Sequence, residues 1–137
     1  MKKLIVLVLT LVFAVSLQIQ AKPDKAKIMK MGEKVYVTNC SACHQVTGQG
    51  IPGVFPPLAK SDFIKGDVNV IFHSIFKGNE GEMTVNGVKY NVPMPPVALK
   101  NKEAAAVATY IMNSWGNKGK IYSPKKVKKW KKENMKK

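Results

Sequence analysis

The segment Cys40-Ser41-Ala42-Cys43-His44 constrains this 137-residue chain more than any other feature. Two thiols one helical turn apart can each form a thioether bond with one of the two vinyl groups of a porphyrin. The adjacent imidazole then lies under the iron and can coordinate it. A chain that ties its haem down covalently needs no deep pocket, which suits a small protein.

Other uses of the motif fit less well. A thioredoxin-like dithiol wants its C-x-x-C beside a βαβ pattern, which the flanks lack. A structural zinc site needs four ligands, usually in two spaced pairs. Beyond the motif the chain offers only His73 and no further cysteine. A disulfide between Cys40 and Cys43 would close a very small loop and leave His44 unexplained. Haem attachment is the favoured reading, with a redox dithiol as its main rival.

The chain opens Met1-Lys2-Lys3, followed by an apolar run from Leu4 to Leu17 and then Gln18-Ile19-Gln20-Ala21. A positive start, a short apolar core and a small closing residue describe a secretory signal peptide over residues 1–21. Cleavage is expected after Ala21, with Ser16 as the competing point. The run is shorter than the ~20 residues of a spanning helix, so an uncleaved anchor is the weaker reading. Neither cysteine lies near the cut, so lipid attachment is not expected. The remainder, from Lys22 to Lys137, has the size of one small domain plus tails.

The formal net charge is +15, and every one of the 23 basic residues is lysine. Nucleic-acid readers use arginine for bidentate contacts, so its absence argues against that role. The charge is better read as a docking surface for an acidic partner or an anionic membrane.

Along the chain, Asp24 to Asn39 reads as a helix, with Ile28, Met31, Val35 and Asn39 at helical spacing and lysines on other faces. Gly32 within it costs about 1 kcal/mol relative to alanine, which close approach by another helix would justify. Otherwise the helix starts only after Gly32. The stretch from Thr47 to Pro57 is a wrapping loop, without the Lys-Ser/Thr of a phosphate-binding motif. Ser61 is placed to cap a short helical turn ended by Gly66. Asp67 caps a helix over Val68 to Lys77, closed by Gly78. Thr84 to Tyr90 is a hairpin with an Asn86-Gly87 turn. Asn91 to Pro96 is extended, because its prolines forbid helix. A last strong helix, capped by Asn101, presents Ala104, Val107, Ala108 and Ile111 and runs to about Trp115 before Gly116. Residues 118–137 carry ten lysines and one glutamate, a charge block that reads as solvated and disordered. A weak amphipathic helix after Pro124, using Val127 and Trp130, is the lesser alternative.

Taken in order, these elements resemble the class I cytochromes c. The resemblance rests on Gly32 and Tyr36 before the motif, Cys40 to His44, and the Gly48/Gly50 loop. It continues through Phe55-Pro56-Pro57-Leu58, Met94-Pro95 and the helix bearing Tyr110-Ile111. The hairpin before Met94-Pro95, and Trp115-Gly116-Asn117 after it, are similar to small bacterial monohaem members. The resemblance covers about Gly32 to Trp115 and implies an all-α fold, helices around a covalently bound haem, with a small β-hairpin before the axial methionine. Residues 22–117 would form the cytochrome domain and 118–137 a Lys-rich tail. It further implies that the terminal helices cross near Gly32, with Tyr36 and Tyr110 around the contact. His44 would be the proximal ligand, its other ring nitrogen donating to a backbone carbonyl, that of Pro56.

Three residues compete for the sixth iron position. A thioether is a soft ligand, and His/Met ligation raises the reduction potential relative to His/His. Met94 sits on a Pro-stiffened segment and matches the family position. Met83 and His73 are the lesser candidates. The cofactor expected is therefore one haem c, with its iron held by His44 and Met94 and its vinyl groups by Cys40 and Cys43. The function expected is periplasmic one-electron carriage between redox proteins with acidic docking surfaces, without enzymatic activity of its own. Lys60, Lys65, Lys77, Lys89 and Lys100 are candidates to border the docking face. The alternatives are an open-site haem enzyme or gas sensor, and the electron-transfer subunit of a larger oxidoreductase held by the tail.

Overall fold

The structure is a computed structural model that describes residues 24–135. The expected signal peptide, residues 1–21, lies outside the described residues. Asp24 opens helix α1 (Lys25–Asn39) by accepting from the amides of Ala26 and Lys27 at 3.0 and 3.3 Å. Its side-chain oxygen thus satisfies two of the donors that every helix start leaves free. The helix continues through Gly32. Its inner face is centred on Gly32 and Tyr36, with Ile28 and Val35 half-buried and Asn39 exposed. The hydrophobic spacing misplaces that face slightly, since glycine contributes no side chain to the pattern.

Gly32 is where α1 meets helix α4 (Asn101–Asn113). A Cβ at Gly32 would overlap the Ala106 carbonyl oxygen and lie 2.6 Å from Tyr110 Cβ. The two backbones therefore approach as closely as only glycine permits, and that contact outweighs its helix-propensity cost. Tyr36, Tyr110 and Trp115 close over the crossing, with ring centroids 4.9 to 5.6 Å apart. Helix α4 is buried along Ala104, Val107, Ala108 and Ile111. Its cap lies one residue before the expected one: Lys100 is the N-cap and donates its amide to Glu103 Oε2 at 2.8 Å. Glu103 reaching back from the first turn fixes that start.

Between α1 and α4, the single-turn helix α2 (Ser41–His44) carries the motif, and helix α3 (Val68–Lys77) runs from Asp67 to Gly78. Residues 62–66 form a turn without a helix of their own. Strands β1 (Met83–Val85) and β2 (Val88–Tyr90) pair antiparallel, Met83 opposite Tyr90, through the Asn86-Gly87 turn. Asn86 and Asp62 exchange two side chain–backbone hydrogen bonds, 2.8 and 3.0 Å, which pin the hairpin tip to the preceding loop. The architecture is mostly helical with one two-stranded sheet, as expected.

One expectation is corrected. Residues 124–134 are not a solvated tail: they form helix α5 (Pro124–Asn134), capped by the Ser123 hydroxyl accepting from the Lys126 amide. Val127 is 0% and Trp130 6% exposed. Trp130 packs on Phe72 and Phe76 of α3, at 6.2 and 5.9 Å between ring centroids. Lys131 Nζ lies 3.8 Å from the centre of the Phe76 ring. The segment leading to α5 is itself tied down, as the Tyr122 amide donates to the buried Thr109 hydroxyl at 3.0 Å. Two large apolar contacts and a cation–π contact thus overcome the repulsion within a lysine-rich segment.

Candidate haem site

The end of α1 sets the first thiol. The Cys40 amide donates to the Tyr36 carbonyl at 2.8 Å, and the chain turns directly into α2. The Tyr36 hydroxyl reaches past the motif to the Gln45 carbonyl at 2.7 Å, clamping α2 from both sides. Cys40 is half-buried and Cys43 exposed, both as free thiols. Burial first, and the neighbouring Cys43 second, push the Cys40 thiol up to about 11. It is held in its neutral form at neutral pH.

His44 is buried, at 8% exposure. Its Nδ1 lies 2.9 Å from the Pro56 carbonyl oxygen. A carbonyl only accepts, so Nδ1 carries the proton and Nε2 keeps its lone pair. Burial lowers the pKa of the ring more than the Pro56 bond raises it. The imidazole is thus fixed in the tautomer and charge state that a metal ligand needs. Gly50 permits this arrangement, because a Cβ there would fall 2.7 Å from the Pro56 carbonyl carbon and oxygen.

Met94 reaches the site through a short ladder with Asn79, two residues after α3. Asn79 and Met94 exchange backbone hydrogen bonds of 2.9 and 3.0 Å, and the Val97 amide donates to the Ile75 carbonyl at 2.7 Å. The Asn79 amide nitrogen lies 2.8 Å from Ser74 Oγ and 3.9 Å from the Met94 sulfur. Asn79 was not legible as a site residue. It belongs to no motif, and only the fold brings it to a residue 15 positions away.

Cys40, Cys43, His44 and Met94 line one cleft of about 980 Å³, counting its open mouth. Its walls come from Leu58, Ile64, Ile71, Ile75, Val85 and Ile111, with Phe63 and Val92 exposed at the surface. Met83 also lines the cleft. His73 does not: it is exposed, with its ring edge-on to Trp130 at 6.5 Å. Lys60, Lys65, Lys77, Lys89 and Lys100 are not among the lining residues either. The haem's demands are met by what is present: apolar walls, two thiols, an imidazole with a free lone pair and a thioether. The rival chemistries lack their settings. Among the described residues no three His, Cys, Asp or Glu side chains converge on a metal position, and the motif follows a helix rather than a βαβ unit.

An apolar cleft with a C-x-x-C-H helix on its wall defines a covalent haem protein. Residues 29–115 match the Cytochrome c family, and the chain belongs to it. Two Thermus thermophilus proteins named cytochrome c-552 are 40% identical over 95 residues, covering 66% of this chain and 72% or 64% of theirs. The Helicobacter pylori cbb3-type cytochrome c oxidase subunit CcoP is 28% identical over 105 residues, 77% of this chain and 34% of that subunit. The cytochrome c subunit of the Gluconobacter oxydans quinone alcohol dehydrogenase is 30% identical over 88 residues, 63% and 18% respectively. Membership implies a covalently bound haem c with its iron, and electron transfer as the general activity.

Proposed function

We propose that the chain is a periplasmic one-electron carrier, its haem joined through Cys40 and Cys43 and its iron held between His44 and Met94. The observation that carries this reading is that the fold brings all four residues to a single apolar cleft. The bound haem supplies a one-electron couple. His44 provides an imidazole oriented by Pro56, and Met94 a soft donor that favours the reduced state. The Asn79–Met94 ladder restrains the methionine, so little side-chain rearrangement accompanies electron transfer. The apolar walls exclude water and raise the cost of the extra charge on the oxidised site.

Export follows from the pattern of residues 1–21, and among the described residues no helix is long and apolar enough to cross a membrane. The natural exchange partners are redox proteins with acidic surfaces, drawn in by a net charge that stays strongly positive once Lys2 and Lys3 leave with the signal peptide. At the mouth itself the contact is apolar, through Phe63 and Val92. Similarity to oxidase and dehydrogenase subunits supports a second reading, the electron-transfer subunit of a larger oxidoreductase. Elution of the native protein in a stable complex, rather than as a 15.1 kDa or smaller monomer, favours that reading.

The test addresses the sixth position. The reduced wild-type protein is expected to bind no carbon monoxide at neutral pH, and its ferric form to show the charge-transfer band of sulfur-ligated haem. Met94→Ala is expected to abolish that band, admit carbon monoxide and lower the potential. A Met94→Ala protein that keeps both band and potential removes Met94 from the site. Ready carbon monoxide binding by the wild type makes the protein an open-site enzyme or sensor.

A further inference from the structure

We propose that helix α5 is a bilayer-docking element, whose outward lysine face binds an anionic phospholipid surface while the haem cleft stays free. Its inward side is fixed by Val127, Trp130 and the half-buried Lys131. At 100° per residue, Lys125, Lys128, Lys129 and Lys132 share the opposite side, within an arc of about 100°. All four are exposed. The only acidic residue on the helix is Glu133, which lies 3.8 Å from Lys129. The result is a cationic strip about 10 Å long, at 1.5 Å per residue.

Position separates this strip from electron exchange. Phe72 and Phe76 face Trp130, whereas Ile71, Ser74 and Ile75 of the same helix line the cleft. Helix α3, about 10 Å across, therefore stands between the cleft and α5. A redox protein seated on the lysine strip would hold its own centre beyond that layer, on the wrong side for rapid transfer.

Residue chemistry separates it from protein recognition. Arginine forks make directional pairs with fixed carboxylates, while lysine is a point charge on a flexible stem. Four lysines without an arginine suit a laterally continuous negative surface, which meets every charge at once without fixed positions. Because the apolar residues of α5 face the protein, the attachment is electrostatic and reversible rather than inserted.

The measurement is sedimentation of the haem-loaded protein with vesicles of phosphatidylcholine mixed with phosphatidylglycerol, and of phosphatidylcholine alone. Binding is expected only to the mixed vesicles and is expected to vanish at high salt. The K125Q/K128Q/K129Q/K132Q variant is expected to bind about 1000-fold more weakly. It keeps Val127 and Trp130, so its unfolding midpoint should match the wild type. The K27Q/K30Q/K34Q/K102Q variant changes the charge equally elsewhere and is expected to retain most of the binding. Equal loss in both variants, or no binding to mixed vesicles, overturns the assignment. So does slower electron transfer to a soluble acidic redox protein, without vesicles, from the α5 variant than from the equally neutralised K27Q/K30Q/K34Q/K102Q variant, which would make α5 a protein dock. Lipid binding is independent of iron ligation, so its failure leaves the electron-carrier reading standing.

Discussion

If Met94 holds the iron as proposed, Asn79 is a neutral side chain placed to act on the redox site through it. Its amide points a donor at the Met94 sulfur from 3.9 Å, a long contact to a weak acceptor. In the proposed His44/Met94 site, a donor on the thioether would draw density away from the sulfur–iron bond, which disfavours the oxidised state. Asn79→Ala is therefore expected to lower the reduction potential. A weak hydrogen bond of about 0.5–1 kcal/mol, at 59 mV per tenfold change for one electron, corresponds to about 20–40 mV. Redox titration reads this directly, with the sulfur-to-iron band confirming that Met94 is still bound. A rise in potential would reverse the assigned polarity of the contact. Sequence spacing could nominate Met94, because prolines on both sides make the segment extended. It could not nominate Asn79, whose partners Ser74 and Met94 meet it only after α3 and the following loop have folded.

Among the elements, α5 marks the boundary of what local pattern can reveal. Helices α1, α3 and α4 announce themselves through caps and apolar spacing, and the structure moves their ends by at most two residues. Helix α5 carries only two apolar residues among lysines, and a window that poor reads as solvated chain. Its stability comes from Phe72 and Phe76, more than 50 positions upstream, which no local window contains. The same sparsity makes it fragile. Trp130 is 6% exposed and meets both phenylalanines, so Trp130→Ala removes most of its buried contact. The expected cost is about 3–5 kcal/mol, read as a lowered denaturation midpoint of the haem protein. Freed lysines would then repel one another, and proteolysis should reach residues 118–137 first. A midpoint unchanged within about 0.5 kcal/mol would return α5 to the solvated tail that its composition suggests.

For the whole molecule, charge and cavity set separate demands. The strong net positive charge acts beyond contact distance, but only over a Debye length of about 8 Å at physiological salt. Electron exchange with an acidic partner is expected to slow as ionic strength rises, and a salt-independent rate would leave only the apolar mouth to guide docking. The cleft makes a stronger demand. Ile64, Ile71, Ile75 and Ile111 are nearly buried, and the cleft they line measures about 980 Å³ with its mouth. The enclosed part of that space measures about 110 Å³, and emptying it at about 24 cal/mol per Å³ costs about 3 kcal/mol. Small domains have about 5–15 kcal/mol in total. That cost, added to the loss of the apolar contacts a bound haem would make with the walls, leaves the helices little stability without it. The Cys40→Ser/Cys43→Ser chain, unable to form either thioether bond and freed of haem, is expected to lose helix content and unfold without a sharp transition. Far-UV circular dichroism through a thermal ramp reads both. A haem-free chain with native helicity and one cooperative transition would mean that the α1–α4 crossing at Gly32 holds the fold without the cofactor.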